Sequence, residues 1–162
     1  MRRYSYLLLL SLLPSIAFAR LGETEKQLTA RFGAVVSRAK EITLTQGKII
    51  EFGLKLTFRR GDWSIECSII DGRSAREVYY KPGDWTEDQF TTVLASNAQG
   101  ARWTDISNVA ARKFAREWRR EDGASATWQM GVAMSVTHPA YRRAKEKAEA
   151  KAKADAARIP KI

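Results

Sequence analysis

The sequence predicts an α+β domain in which capped helices pack on an antiparallel β-meander, and three observations support this prediction. Apolar and polar side chains alternate over several short segments, as in strands with one buried face and one face in solvent. Two Thr-x-x-Gln segments precede apolar residues at helical spacing. The chain also ends in a segment rich in alanine, lysine and glutamate, which are strong helix formers.

Two capping boxes mark the expected helices. In a capping box the Thr side chain accepts a hydrogen bond from the N3 backbone N–H, and the N3 Gln side chain reaches back to the N-cap. Thr24–Gln27 predicts a helix over about 24–32, and Thr86–Gln89 predicts a second one. The two segments share residues at four matched positions, so 24–81 and 86–137 can be interpreted as two α-then-β repeats. Independent selection of the same capping residues is the alternative interpretation.

Alternating segments mark the expected strands. Apolar residues alternate with polar ones over 54–59 and again over 63–69. Asp71-Gly72 then has the signature of a two-residue hairpin turn, which leads into a strand near 78–80. The longest alternating pattern, 128–136, closes the domain. One-sided alternation of this kind indicates an antiparallel sheet with a solvent-facing side.

Residues 1–19 have the three parts of a secretory signal peptide. Arg2 and Arg3 supply the positive charge, a leucine-rich run follows, and Ala17-Phe18-Ala19 has the form of a cleavage site. Cleavage after Ala19 predicts an exported protein, periplasmic or secreted, with a single domain over 20–138 and no transmembrane helix in the mature chain. An uncleaved anchor is the alternative, although the apolar run is short for one.

The positive charge is concentrated near the end of the chain. The net charge is +10 for the whole sequence, whereas 139–162 alone holds eight basic and three acidic residues. This segment is the predicted basic, Ala/Lys-rich helical tail, and 20–138 has a net charge of only +3. An anionic surface is an expected partner of the tail, and specific binding of nucleic acid is not expected. The candidate contact residues are Arg142, Arg143, Lys145, Lys147, Lys151 and Lys153.

The sequence contains no recognisable catalytic or metal-binding motif, so no catalytic residue, cofactor or metal is expected. The single histidine, His138, precedes Pro139 at an expected strand end, which is typical of a surface position. Glu121 and Asp122 are adjacent acids before a glycine and are typical turn formers. A small hydrolase that uses carboxylates is retained as an alternative function.

Three other residues are candidates for contacts with other molecules. Trp85 and Trp103 flank the second helix, where they can stack on a ligand or partner, or else attach the helix to the sheet. Cys67 shares the apolar side of a strand with Ile65 and Ile69, which indicates a buried thiol. An odd cysteine in an exported protein also allows an intermolecular disulfide.

The combination of a Thr-x-x-Gln helix, a terminating glycine and an antiparallel meander resembles small exported bacterial modules of the SmpA/OmlA (BamE) type. A tandem pair of such units resembles the beta-lactamase-inhibitor-protein architecture. The stretches Leu21-Gly22-Glu23-Thr24 and Trp118–Gly123 also resemble parts of uncharacterised secreted bacterial proteins. The chain lacks the lipoprotein cysteine of the first group and the two disulfides of the second. The resemblance therefore implies an architecture and a compartment, but no activity and no site residue.

These observations together predict an exported, non-enzymatic interaction module that binds a protein or a component of the cell envelope. Binding of an anionic polymer through the basic tail is a further alternative.

Overall fold

The computed structural model describes residues 20–158, so the predicted signal peptide lies outside the described residues. The elements of the first part are α1 (Glu25–Phe32), β1 (Ser37–Thr45), β2 (Lys48–Arg60), β3 (Trp63–Ile70) and β4 (Arg73–Tyr80). Those of the second part are α2 (Glu87–Ser96), β5 (Trp103–Asp105), β6 (Ala115–Arg120), β7 (Ser125–Gln129), β8 (Ala133–Thr137) and α3 (Pro139–Ala157). A short 3₁₀ turn, Val109–Ala111, lies between β5 and β6.

The eight strands form one sheet in the order β1-β2-β3-β4-β8-β7-β6-β5, and every neighbouring pair is antiparallel. β4 and β8 meet in the centre, where Arg76 lies opposite Thr137 and Tyr79 opposite Met134. β1 and β5 are the two edges. This sheet and its helices confirm the predicted α+β class and the antiparallel sheet.

Both predicted capping boxes form. The backbone N–H of Thr24 donates to Oε1 of Gln27 over 2.9 Å, and that of Gln27 donates to the Thr24 hydroxyl over 3.4 Å. Thr86 and Gln89 make the same pair of bonds at the start of α2. Because these bonds satisfy backbone donors that a helix leaves unpaired, they fix where α1 and α2 begin.

Helices α1 and α2 share one face of the sheet, called here the α1/α2 face. The ring of Phe32 in α1 lies 5.4 Å from that of Phe58 in β2, and Phe90 in α2 lies 5.1 Å from Trp128 in β7. Side chains of directly opposed residues in neighbouring strands lie on the same side of the sheet. The α1/α2 face can therefore be followed from strand to strand through the paired residues. Its buried side chains include Leu28, Leu56, Phe58, Ile65, Cys67, Tyr79, Phe90, Val93, Trp118, Trp128, Met134 and Val136.

Helix α3 lies on the opposite face, mainly against β1–β4. The Thr43 hydroxyl donates to Oε1 of Glu149 over 2.7 Å, and the Tyr141 ring packs edge-on against Phe52 at 5.4 Å. Between Tyr141 and Glu149 the helix has half-buried alanines, including Ala144 and Ala148. The predicted tail thus includes a helix that packs against the domain, because small side chains let its backbone come close to the sheet.

Residues 105–116 have an apolar spacing that suits a helix, but only a 3₁₀ turn forms there. Oδ1 of Asp105 accepts from the backbone N–H of Ser107 over 2.8 Å, and Oδ1 of Asn108 accepts from that of Ala110 over 2.9 Å. Such short side chains close local turns that compete with a helix. The segment therefore becomes a structured loop that leads from β5 into β6.

Candidate interaction surfaces

Trp85 packs into an aromatic cluster beside α2. Its ring lies 5.1 Å from Trp63 in an edge contact and stacks on Phe90 at 5.4 Å. The side chain is half-buried by these neighbours. Trp85 therefore attaches the start of α2 to the start of β3, and only part of its ring remains available to another molecule.

Trp103 is fixed at the other end of α2. Its Nε1 donates to the carbonyl of Leu94 over 2.8 Å, and the guanidinium of Arg120 lies 5.4 Å from the ring centre. The side chain is again half-buried. The indole donor and one ring face are already used inside the domain, so Trp103 offers a smaller surface than a free tryptophan.

The six predicted basic residues of α3 do not share one surface. Arg142 is held by the β6–β7 turn, where it donates to the Ser125 hydroxyl over 3.0 Å and to the Gly123 carbonyl. Lys145 lies 3.9 Å from Glu149, and neither it nor the exposed Lys153 lines the groove between α3 and the sheet. The other three basic residues, Arg143, Lys147 and Lys151, lie together along one groove.

This groove, called here the α3 groove, has a volume of about 420 Å³ and lies between one side of α3 and the adjacent part of the sheet. Its helix side consists of Ala140, Arg143, Ala144, Lys147, Ala148 and Lys151, and its sheet side of Glu51, Phe52, Ile70 and Asp71. The groove thus has basic side chains along one wall, apolar groups in between and two acids on the other wall.

The sheet face that carries α3 has a second half that the helix does not cover, called here the open sheet face. It includes residues of β4, β8, β7 and β6, and a shallow groove of about 310 Å³ runs across it. Tyr80 and Arg76 of β4 stand on one side of the groove, and Gln129 and Glu117 stand on the other. Because α3 packs mainly on β1–β4, Glu117 and Gln129 are exposed to solvent, whereas Arg76 is half-buried and contacts the Tyr141 ring of α3.

An exposed apolar cluster borders the open sheet face at one end of the sheet. It consists of Ile106, Val109, Phe114, Met130 and Val132, and is called here the apolar tip. The backbone N–H of Met130 donates to the Phe114 carbonyl over 2.8 Å, so the loop before β6 and the β7–β8 hairpin lie side by side. Val132, which is 58% exposed, also lines the groove of the open sheet face.

Cys67 is fully buried in β3. Burial, together with the nearby charge of Glu77, raises the pKa of its thiol well above the usual range. A thiol with a raised pKa is a poor nucleophile because little of the thiolate is present at neutral pH. An intermolecular disulfide at this position would therefore require β3 to be exposed first.

A buried polar cluster lies under α1 and α2, and the sequence pattern gives no sign of it. Glu77 is fully buried and accepts hydrogen bonds from the hydroxyls of Tyr79 and Ser74. Burial raises the pKa of Glu77, while the bond from Tyr79 and the charge of Arg31 act in the opposite direction. Arg31 is itself almost fully buried and is paired with Glu23. In sequence, Glu77 resembles any polar residue of an alternating strand, so its burial was not predictable.

A second charged cluster surrounds Arg120, whose side chain is fully buried. The guanidinium donates to both carboxylate oxygens of Asp122, over 2.8 and 2.6 Å, and this contact lowers the pKa of Asp122 to about 2. His138 Nε2 lies 4.0 Å from Asp122, but its Nδ1 accepts from the backbone N–H of Ala140 and so caps α3. These groups form structural contacts that join β6, the β6–β7 turn and α3.

Residues 20–158 include no cluster of histidine, cysteine or acidic side chains that could hold a metal ion. Within the same residues, none of the helices is both long and apolar enough to cross a membrane.

Comparison of the chain with protein-family models, with curated proteins and with solved structures finds no match.

Proposed function

We propose that this protein is an exported, non-enzymatic interaction module that binds a protein partner through the open sheet face and the apolar tip. Export is supported by the signal-peptide pattern of residues 1–19. The absence of catalytic motifs from the sequence supports a binding role. The shallow groove across the sheet suits contact with a protein surface better than enclosure of a small substrate.

The apolar tip is the observation on which the proposal depends. Five of the nine large hydrophobic side chains that are exposed in the described residues belong to this one end of the sheet. Exposed apolar groups gain roughly 25 cal/mol for each Å² that a partner removes from water. Clustered groups of this kind, bordered by polar residues, are characteristic of interaction sites.

The arrangement of the sheet also supports the tandem interpretation of the sequence. A helix and four strands precede the central β4–β8 contact in one half, and a second helix and four strands reach it from the other. Two joined α-then-β units would produce this order. In such a molecule the surface opposite the two helices extends across both units. Because α3 covers the part on the first unit, the part on β8, β7 and β6 is left for a partner to contact.

Site-specific crosslinking tests the proposal. A photoreactive residue replaces Gln129 on the open sheet face of the mature chain, or Lys26 on the exposed side of α1 as a matched control. After irradiation in an envelope extract, we expect a discrete protein adduct from position 129 and none from position 26.

Two substitutions then locate the contact. Val132→Asp in the apolar tip should abolish the adduct, because it places a charge in an apolar contact. Leu44→Asp, at the other end of the sheet and 71% exposed, should leave it unchanged. Equal adducts from both crosslinking positions, or an adduct that survives Val132→Asp, would contradict the proposal.

A further inference from the structure

We propose that the α3 groove is a separate binding site for an extended acidic peptide segment of a partner protein. The site does not depend on the open sheet face, because α3 lies over β1–β4 and the open sheet face lies beyond it.

The groove has a firm apolar floor. Ile70 is only 8% exposed, and Phe52 is supported by the ring of Tyr141. Ala144 and Ala148 face this floor from the helix and add little bulk. A peptide backbone can therefore lie close to both walls.

The helix wall carries a regular row of positive charge. Arg143, Lys147 and Lys151 are spaced by four residues, so they recur on one side of α3 about every 6 Å along its axis. Lys151 contacts Asp155 over 2.8 Å. Within residues 20–158, Arg143 and Lys147 make no ion pair, which leaves their charges available to a ligand.

The spacing and the opposite wall define the occupant. In an extended peptide, alternate side chains recur about every 6.6–6.8 Å on the same side, close to the spacing of the basic row. Carboxylates at alternate positions can therefore meet successive basic side chains. The intervening side chains would lie towards Asp71 and towards Glu51, which is already paired with Lys40 over 3.1 Å. A neutral residue fits there, whereas a further acid would be repelled by Asp71.

The same features distinguish a peptide from other anionic partners. A uniform polyanion would place negative charge against both walls. A membrane would require a helix with bulky apolar side chains, but α3 has no aliphatic residue larger than alanine. An acidic segment with alternating neutral residues satisfies both walls of the groove.

Fluorescence anisotropy with a defined peptide tests the inference. The probe is a labelled acetyl-(Glu-Thr)₄-amide, titrated with the mature chain at low salt, and acetyl-(Gln-Thr)₄-amide is the uncharged control. The double variant Arg143→Gln/Lys147→Gln should weaken binding about tenfold, because each ion pair contributes modestly at an exposed site. Lys145→Gln/Lys153→Gln removes two charges from the same helix outside the groove and should change the affinity less than twofold.

The outcomes are distinct. If only the Arg143→Gln/Lys147→Gln variant loses affinity for the acidic peptide, the result supports binding in the α3 groove. Equal loss in both double variants would indicate unspecific attraction to the net charge and would overturn the inference. It would also fail if the acidic probe bound no better than the glutamine peptide, or if vesicles of phosphatidylglycerol bound α3 while the peptide did not. None of these results bears on the crosslinking at Gln129, so this site and the proposed function can fail independently.

Discussion

The hydroxyl of Tyr141 donates to Oε1 of Glu41 over 2.8 Å, and this bond joins the first turn of α3 to the edge strand β1. Glu41 is only 8% exposed, and its second oxygen accepts from the Ser68 hydroxyl over 2.8 Å. The guanidinium of Arg76 lies 5.4 Å from the Tyr141 ring. These contacts make Tyr141 one of the points at which α3, and so the wall that carries the basic row, is attached to the sheet.

Tyr141→Phe should lower the free energy of unfolding by about 1–3 kcal/mol, because it leaves one buried oxygen of Glu41 without its donor. The ring and its contact with Phe52 remain, so the loss reports on the hydrogen bond. Urea unfolding followed by circular dichroism measures the change. Lys153→Ala, on an exposed part of the same helix, serves as the control and should stay within about 0.5 kcal/mol. A Tyr141→Phe variant as stable as the control would mean that α3 is held by other contacts.

Gly53→Ala should also destabilise the protein, because β2 passes too close to β3 for a side chain at this position. A Cβ atom there would lie 2.6 Å from Cδ1 of Ile70 and 2.8 Å from the Ile69 carbonyl oxygen. We expect a loss of about 1–3 kcal/mol in the free energy of unfolding, as for other overpacked sites.

A double-mutant cycle identifies the source of that loss. Ile70→Val removes the Cδ1 atom and should recover part of the stability of the Gly53→Ala variant, while the contact with the Ile69 carbonyl remains. Full additivity of the two substitutions in urea unfolding would show that Ile70 does not cause the strain.

The helices α1 and α2 and the strands β2 and β3 were largely predictable because their apolar residues face the core and their polar residues face water. The alternation over 128–136 predicted a single strand, and this was wrong: the chain turns at Gly131, which has a positive φ, so the segment forms the β7–β8 hairpin. Strand β1 reverses this relationship. Glu41, Thr43 and Thr45 are buried, whereas Ile42 and Leu44 are exposed. Hydrophobic alternation cannot identify such a strand, because its buried side is stabilised by hydrogen bonds to α3 and to β3.

The candidate surfaces were predictable only in part. The six basic residues of the tail are evident in the sequence, but their division between the groove and other positions depends on how α3 docks. The helix docks through Tyr141 and a row of alanines. A sequence of this composition looks the same as that of a solvent-exposed helix, so the docking could not be predicted. The apolar tip depends on a turn before β6, where the side chains of Asp105 and Asn108 accept hydrogen bonds from nearby backbone N–H groups.

Glu77 should make the stability of the protein depend on pH. Burial raises its folded-state pKa above the ordinary value of 4.5. A group with a raised folded-state pKa binds its proton more tightly in the folded chain. Its stabilising contribution is therefore complete below pH 4.5 and is lost as the pH rises through the folded-state pKa.

Glu77→Gln should remove this part of the pH dependence, and urea unfolding between pH 4 and pH 8 measures it. Glu77→Leu, in contrast, leaves the buried hydroxyl of Tyr79 without its carboxylate acceptor and should cost about 1–3 kcal/mol. Parallel stability curves for the wild type and Glu77→Gln would show that the carboxyl keeps the same protonation state in both the folded and the unfolded chain.

Asp122 should produce the opposite pH dependence. Its contact with Arg120 lowers its folded-state pKa from 3.8 to about 2. The ionised carboxylate therefore stabilises the fold above pH 3.8, and this contribution is lost as the pH falls towards 2. Because the Asp122 side chain is 41% exposed, solvent screening limits the effect to about 1 kcal/mol or less.

Asp122→Asn isolates the charge, because its side-chain oxygen can still accept from the backbone N–H of Ala124, as Oδ1 of Asp122 does over 3.1 Å. We expect this variant to be slightly less stable than the wild type at neutral pH, with a difference that narrows steadily below pH 4. Chemical unfolding at several pH values measures that difference. If the difference in free energy of unfolding stayed constant down to the lowest pH at which the chain folds, the carboxylate charge would not be its cause. The lower stability of Asp122→Asn would then come from altered hydrogen bonding around Arg120.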